Sequence, residues 1–143
     1  MTQEDKQLVL KDLCARLPYG VKVESVFINT DTKKRKSCGI EVFDATCILM
    51  IRDGFGEFKP YLFPLSSMTD EQKSELNKKF TVQFSGNDIY SIHYHAEGYW
   101  DNDLELDLKD WLWFINWCYK NHFDINGLIE KGLAIDATGL NIY

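Results

Sequence analysis

Apolar residues along this chain alternate between helical spacing and strand-like runs. Leu10, Leu13, Cys14 and Leu17 recur at helical intervals behind Thr2, a residue suited to an N-cap, and Glu4 and Asp5 sit where the positive end of a helix favours acids. A first helix is therefore expected, ended by Pro18. Residues 21–28, 38–43 and 46–51 are rich in β-branched and aromatic side chains and predict three strands, the first two joined by the polar stretch 29–37 as a long hairpin. Asp53-Gly54 and Gly56 mark a turn. Residues 58–65 contain Pro60 and Pro64, which predicts an extended connector or edge segment.

Thr69 followed three residues later by Gln72 is a capping box and predicts a second helix to about Lys79, with Leu76 and Phe80 as its apolar stripe and Met68 just outside. Residues 80–84 and 89–96, separated by Gly86-Asn87-Asp88, read as a second hairpin. A third helix over residues 108–121 is expected, with Asp107 as N-cap. At 100° per residue its apolar face holds Leu108, Trp111, Leu112, Ile115, Cys118, Tyr119 and His122. Trp113 and Trp117 fall among Lys109, Asp110, Asn116 and Lys120 on the other side. Two readings stay open for these indoles: a loop or the C-terminal segment covers them in a second small core, or they anchor a partner. Residues 124–131 predict a short helix capped by Asp124 with Gly132 after it, and residues 135–143 have enough apolar side chains to dock.

No repeat or linker is visible, so the expectation is one compact domain over residues 1–143. Its class is α+β, an antiparallel sheet of about five to six strands with three to four helices packed on it. With 143 residues, the chain can bury about 70% of its unfolded surface, so its core needs no metal or disulfide. The charge of −6 is unevenly placed. Six acids and one base lie between Glu97 and Asp110, so that stretch carries −5 and the rest of the chain is close to neutral.

The longest apolar runs are about five residues, well short of the roughly 20 that a membrane helix needs, so no membrane is expected as a partner. The start of the chain lacks the basic and apolar regions of a secretory signal. Cys14, Cys38, Cys47 and Cys118 form no C-x-x-C pair and no zinc spacing. A cytoplasmic location with reduced thiols is the expectation.

Candidate chemistry is sparse. A strand over residues 89–97 would align His93, His95 and Glu97 on one face, a possible two-histidine, one-carboxylate set for a divalent metal. The sequence lacks the rest of a cupin motif, because Glu97 follows His95 too closely and every proline lies upstream. A wet polar strand face explains the pattern more simply. Asp101, Asp103, Glu105 and Asp107 alternate as in a calcium loop, but counting from Asp101 places Leu106 and Leu112 where glycine and glutamate are needed. Leu104, Leu106 and Leu108 between the acids suggest an extended lead-in, and the carboxylate row would attract a basic partner. Lys33-Lys34-Arg35-Lys36 lacks interleaved aromatics, so it reads as a solvated hairpin tip that discourages strand aggregation, and a nucleic-acid partner is not expected. Cys118 and His122 stand one helical turn apart on the expected apolar face, where a thiol is an inert small hydrophobe.

Three segments, LCARLPYGV at residues 13–21, FKPYLFPLSSMTDEQ at 58–72 and NHFDINGLIEKGLAIDATGLNIY at 121–143, resemble a group of small proteins from gut anaerobic bacteria and their phages or prophages. The resemblance implies an intracellular protein linked to mobile elements and transfers no site residue. The expectation for function is thus a non-enzymatic, phage-associated binding protein that engages a protein partner or self-associates. Its interaction patch would hold Trp113, Trp117, Asp101, Asp103, Glu105 and Asp110. It would need no cofactor. The alternative is a metal-dependent enzyme using His93, His95 and Glu97.

Overall fold

A computed structural model describes residues 1–85, 88–94 and 108–143, with residues 81–94 described through their backbone. Among the described residues the protein is α+β, with four helices and six strands. They are α1 (Gln3–Arg16), β1 (Lys22–Ile28), β2 (Arg35–Val42), α2 (Ala45–Arg52), β3 (Gly56–Leu62), α3 (Asp70–Asn77), β4 (Phe80–Ser85), β5 (Asp88–Tyr94), α4 (Leu108–Lys120) and β6 (Ile135–Asp136). The expected sheet of five to six antiparallel strands is corrected. The main sheet has four strands in the order β2-β1-β3-β6 and is mixed, because β3 and β6 run parallel; β4 and β5 form a separate two-stranded hairpin. The chain divides into two compact units, Met1–Leu62 with Asn126–Tyr143, and Phe63–Ile125.

In the first unit, α1 opens on a capping box in which Thr2 Oγ1 accepts from the Asp5 amide at 3.1 Å and Asp5 accepts from the Thr2 amide at 3.0 Å. The buried face is Val9, Asp12, Leu13 and Arg16, whereas Cys14 and Leu17 of the expected stripe are exposed. The helix is rotated because Asp12 and Arg16 go inside as an ion pair. Arg16 Nε lies 2.6 Å from Asp12 Oδ2, Arg16 Nη2 donates to Asp12 Oδ1 at 3.0 Å, and Asn126 Nδ2 donates to the same oxygen at 2.8 Å. Buried charges persist when paired and hydrogen-bonded in this way.

The strand expected over residues 46–51 is a helix, α2. Asp44 Oδ1 accepts from the amides of Thr46 and Cys47 at 2.8 and 3.1 Å, which caps the turn, and a short apolar run has no periodicity that separates strand from helix. Residues 58–65 are corrected as well, because β3 is an inner strand between β1 and β6. Pro60 is tolerated since β6 pairs only with Tyr61 and Leu62, leaving Pro60 flanked by β1 alone. Gly56 is required by packing: a Cβ there would meet the Phe58 ring at 2.9 Å. Val9, Leu13, Val21, Val23, Phe43, Phe58, Leu62, Leu128 and Leu133 form the core of this unit.

Residues 124–131 do not form the expected helix. Gly127 adopts φ +69 and Gly132 φ +71, and the segment folds as consecutive turns that still bury Leu128 and Leu133. The C-terminus docks by polar contacts. The Tyr143 hydroxyl donates to the Tyr61 carbonyl at 2.8 Å and accepts from the Lys22 amide at 2.9 Å, while Lys22 Nζ donates to the Ile142 carbonyl.

In the second unit, the Thr69–Gln72 capping box starts α3 as expected, with Thr69 Oγ1 accepting from the Gln72 amide at 3.2 Å and Gln72 Oε1 accepting from the Thr69 amide at 2.9 Å. The β4–β5 hairpin is also as expected, with a register shift at Gln83/Phe84. Phe63 and Phe123 form a parallel bridge, and the core gathers Leu65, Met68, Leu76, Phe80, Phe114, Trp117, Cys118 and Phe123.

Candidate functional site

The face that α4 turns inward is rotated from the expected one and shares only Cys118 with it. Asp110, Phe114, Trp117 and Cys118 are buried, and Leu108, Trp111 and Leu112 are 75%, 40% and 51% exposed. Large apolar side chains lie on more than one side of the helix, so its periodicity alone does not fix which of them is buried. Phe80, Phe123 and the loop carrying Leu65 and Met68 choose it, by enclosing one side.

Of the two readings left open for Trp113 and Trp117, the second small core is the one found. Trp117 is stacked on Phe123 with ring centroids 5.7 Å apart, and Trp113 is half-buried against Phe80 at 5.6 Å. These two phenylalanines cover the indoles, where the sequence left open a loop or residues 135–143; that segment fastens to the sheet of the first unit. Lys79 Nζ sits 4.5 Å from the centre of the Trp113 ring and 3.7 Å from Asp110 Oδ1, so Asp110 is buried toward a lysine of its own unit. Asp101, Asp103 and Glu105 lie outside the described residues.

Of the possible metal set, the backbone of His93 lies in β5 opposite Thr81, and His95 and Glu97 lie outside the described residues. Among the described residues no three His, Cys, Asp or Glu side chains are grouped to hold a metal ion. Cys118 is buried in the core of the second unit, whereas His122 adopts φ +63 at the end of α4 and its carbonyl accepts from the Phe63 amide at 2.9 Å. Arg35 of the basic run is held by Glu57, with Arg35 Nη1 donating at 3.0 Å; this pair raises the arginine further above its ordinary value, by hydrogen bond first and charge second.

The first unit contains a cavity of about 140 Å³ lined by Lys6, Val9, Leu10, Ile28, Ile51 and Phe58 among others. It is smaller than the roughly 300 Å³ at which ligand pockets begin. Among the described residues no helix is long and apolar enough to cross a membrane.

The feature left for function is the outer face of α4. Leu108, Trp111 and Leu112 occur at i, i+3 and i+4, continued by half-buried Ile115 and Tyr119, and form one stripe three turns long. The sequence names all five residues as one face of this helix but assigns that face to the core. Phe114, lying with Trp113 and Trp117 on the other side, is the signal that the opposite face could be buried. No protein family, curated protein or solved structure matches the chain.

Proposed function

We propose that this is a non-enzymatic binding protein that docks a protein partner on the exposed stripe of α4. One observation carries the reading: Leu108, Trp111 and Leu112 stand together on the outside of a helix whose other side is already packed. Large apolar side chains at i, i+3 and i+4 are the anchors by which helices engage grooves, and a tryptophan in such a set is a common hot spot.

Charge gives the partner's chemistry. Residues 97–107 hold five acids and no base and lead directly into Leu108. Chain continuity keeps Asp103, Glu105 and Asp107 within about 18 Å of the stripe whatever path they take, since a residue spans at most about 3.6 Å. The favoured partner combines an apolar groove with lysine or arginine at its rim. The resemblance of three segments to phage and prophage proteins supports a role inside a bacterial cell linked to a mobile element.

The test compares the tagged chain with a Leu108→Ser/Trp111→Ala/Leu112→Ser variant that retains its helical circular dichroism. A protein captured by the first should be lost by the second. Titrated in pure form, it should bind Trp111→Ala at least about tenfold more weakly, the equivalent of 1.4 kcal/mol, and more weakly still as salt rises. Equal capture by both chains would overturn the assignment.

A further inference from the structure

β2 is unusual for a strand beside a packed core, because all eight of its residues are exposed. It is an outermost strand of its sheet, so one side pairs with β1 and the other has no strand beside it among the described residues. Ile40 and Val42 are 55% and 52% exposed. An edge of this length with open backbone groups is a template for another strand.

The basic run that discourages indiscriminate strand pairing leaves one orientation open, and the charges along β2 say which strand fits. Lys33, Lys34, Arg35 and Lys36 make its beginning basic, while Glu41 and Asp44 make its end acidic. A second copy running parallel would place like charges together, and an antiparallel copy places each basic start beside the other's acidic end.

A bulge completes the match. Residues five apart in a regular strand point to opposite faces, and a two-fold axis perpendicular to a sheet cannot then bring one opposite the other. In β2 the register shifts opposite Ser25/Val26, and Gly39 takes φ +84 there, a conformation open to glycine. The extra residue moves Lys36 and Glu41 onto one face. Lys36 pairs with Phe27 and Glu41 with Val23, four residues apart on β1, and both side chains line the same shallow depression with Ser25 and Met50. We infer that β2 is a homodimer edge on which a second copy of this chain adds its own β2 antiparallel, Lys36 of each copy facing Glu41 of the other. The inference uses no residue of the α4 stripe and stands or falls without it.

Sedimentation equilibrium of the full chain tests the inference. The protein should dimerise with concentration, and Glu41→Lys or Lys36→Glu should each weaken the dimer at least about tenfold by opposing like charges. Mixing the two variants should restore a one-to-one dimer, because one then carries only bases and the other only acids at these sites. Trp111→Ala should leave the dimer unchanged. As a second measurement, a nitroxide on exposed Cys38 in a Cys14→Ser background should show spin–spin broadening, since Cys38 sits beside the two-fold axis. A monomer at every concentration, variants that dimerise as the parent does, a mixture that fails to associate, or an unbroadened Cys38 spectrum would each overturn it.

Discussion

Asp12 and Arg16 stand one helical turn apart on α1 with both side chains fully buried, 2.6 Å from Oδ2 to Nε. Asn126, 114 positions away in sequence, donates to the same carboxylate and so ties the C-terminal segment to the first helix. Removing one ion leaves the other uncompensated, so Asp12→Ala or Arg16→Ala should each cost about 3–5 kcal/mol. Replacing both, as in Asp12→Leu/Arg16→Met, should cost far less than the two single changes summed. Urea denaturation of the three variants checks this; additive losses would show that the two residues do not act as a pair.

The tryptophans of α4 should separate by face. Trp117→Ala opens a cavity against Phe123 and should cost about 3–5 kcal/mol. The buried Nε1 of Trp117 has no hydrogen-bond partner among the described residues, so Trp117→Phe regains part of that loss by removing an unpaired donor worth about 1–3 kcal/mol. Trp111→Ala removes an exposed ring and one edge contact with Phe114, for under about 1.5 kcal/mol. Thermal melts that rank Trp111→Ala as the most damaging change would reverse the assignment of faces.

Asp44 should control α2. Hydrogen bonds from the Cys47 and Thr46 amides hold its carboxyl below the ordinary value of 3.8, the Cys47 bond being the larger cause. The stabilisation from this depressed group is complete above the unfolded carboxyl's pKa and is lost as pH falls through the folded value. Asp44→Ala should lower the melting temperature at neutral pH, whereas Asp44→Asn should keep the cap and flatten this part of the acid dependence. A melting temperature equal to the parent's in Asp44→Ala would argue against the cap.

Tyr143 should give an alkaline signature. Burial pushes its hydroxyl from 10.0 up to about 12, against the opposing effects of the Lys22 amide and Arg16. A raised pKa means that the stabilisation is complete below pH 10 and is lost as pH climbs toward about 12. Tyr143→Phe should therefore melt lower than the parent at pH 8 and show a smaller further fall between pH 10 and 12. Parallel losses in the two proteins would place the alkaline transition elsewhere.

Local chemistry was legible without tertiary context. Thr2 and Thr69 satisfy amides three residues on, so both N-caps could be anticipated from local sequence alone, as could the pairing of β4 with β5. Asp44 carried the same kind of signal. The β-branched residues of 46–51 led to a strand being expected there, and the segment proved to be a helix capped by Asp44.

The sequence by itself determined the α+β class, the N-caps of α1 and α3 and the set of apolar residues available to bury. Tertiary structure decided which of them went inside. Pro60 took an inner strand because the neighbour on one side begins pairing a residue later, and Asp12 and Arg16 were buried because each supplied the other's charge. On α4 large apolar side chains stood on more than one side, so the enclosing contacts of Phe80 and Phe123 fixed the inner face and left Leu108, Trp111 and Leu112 outside. Hydrophobicity says that a side chain gains by leaving water, but only a neighbouring surface of matching shape determines where it can do so.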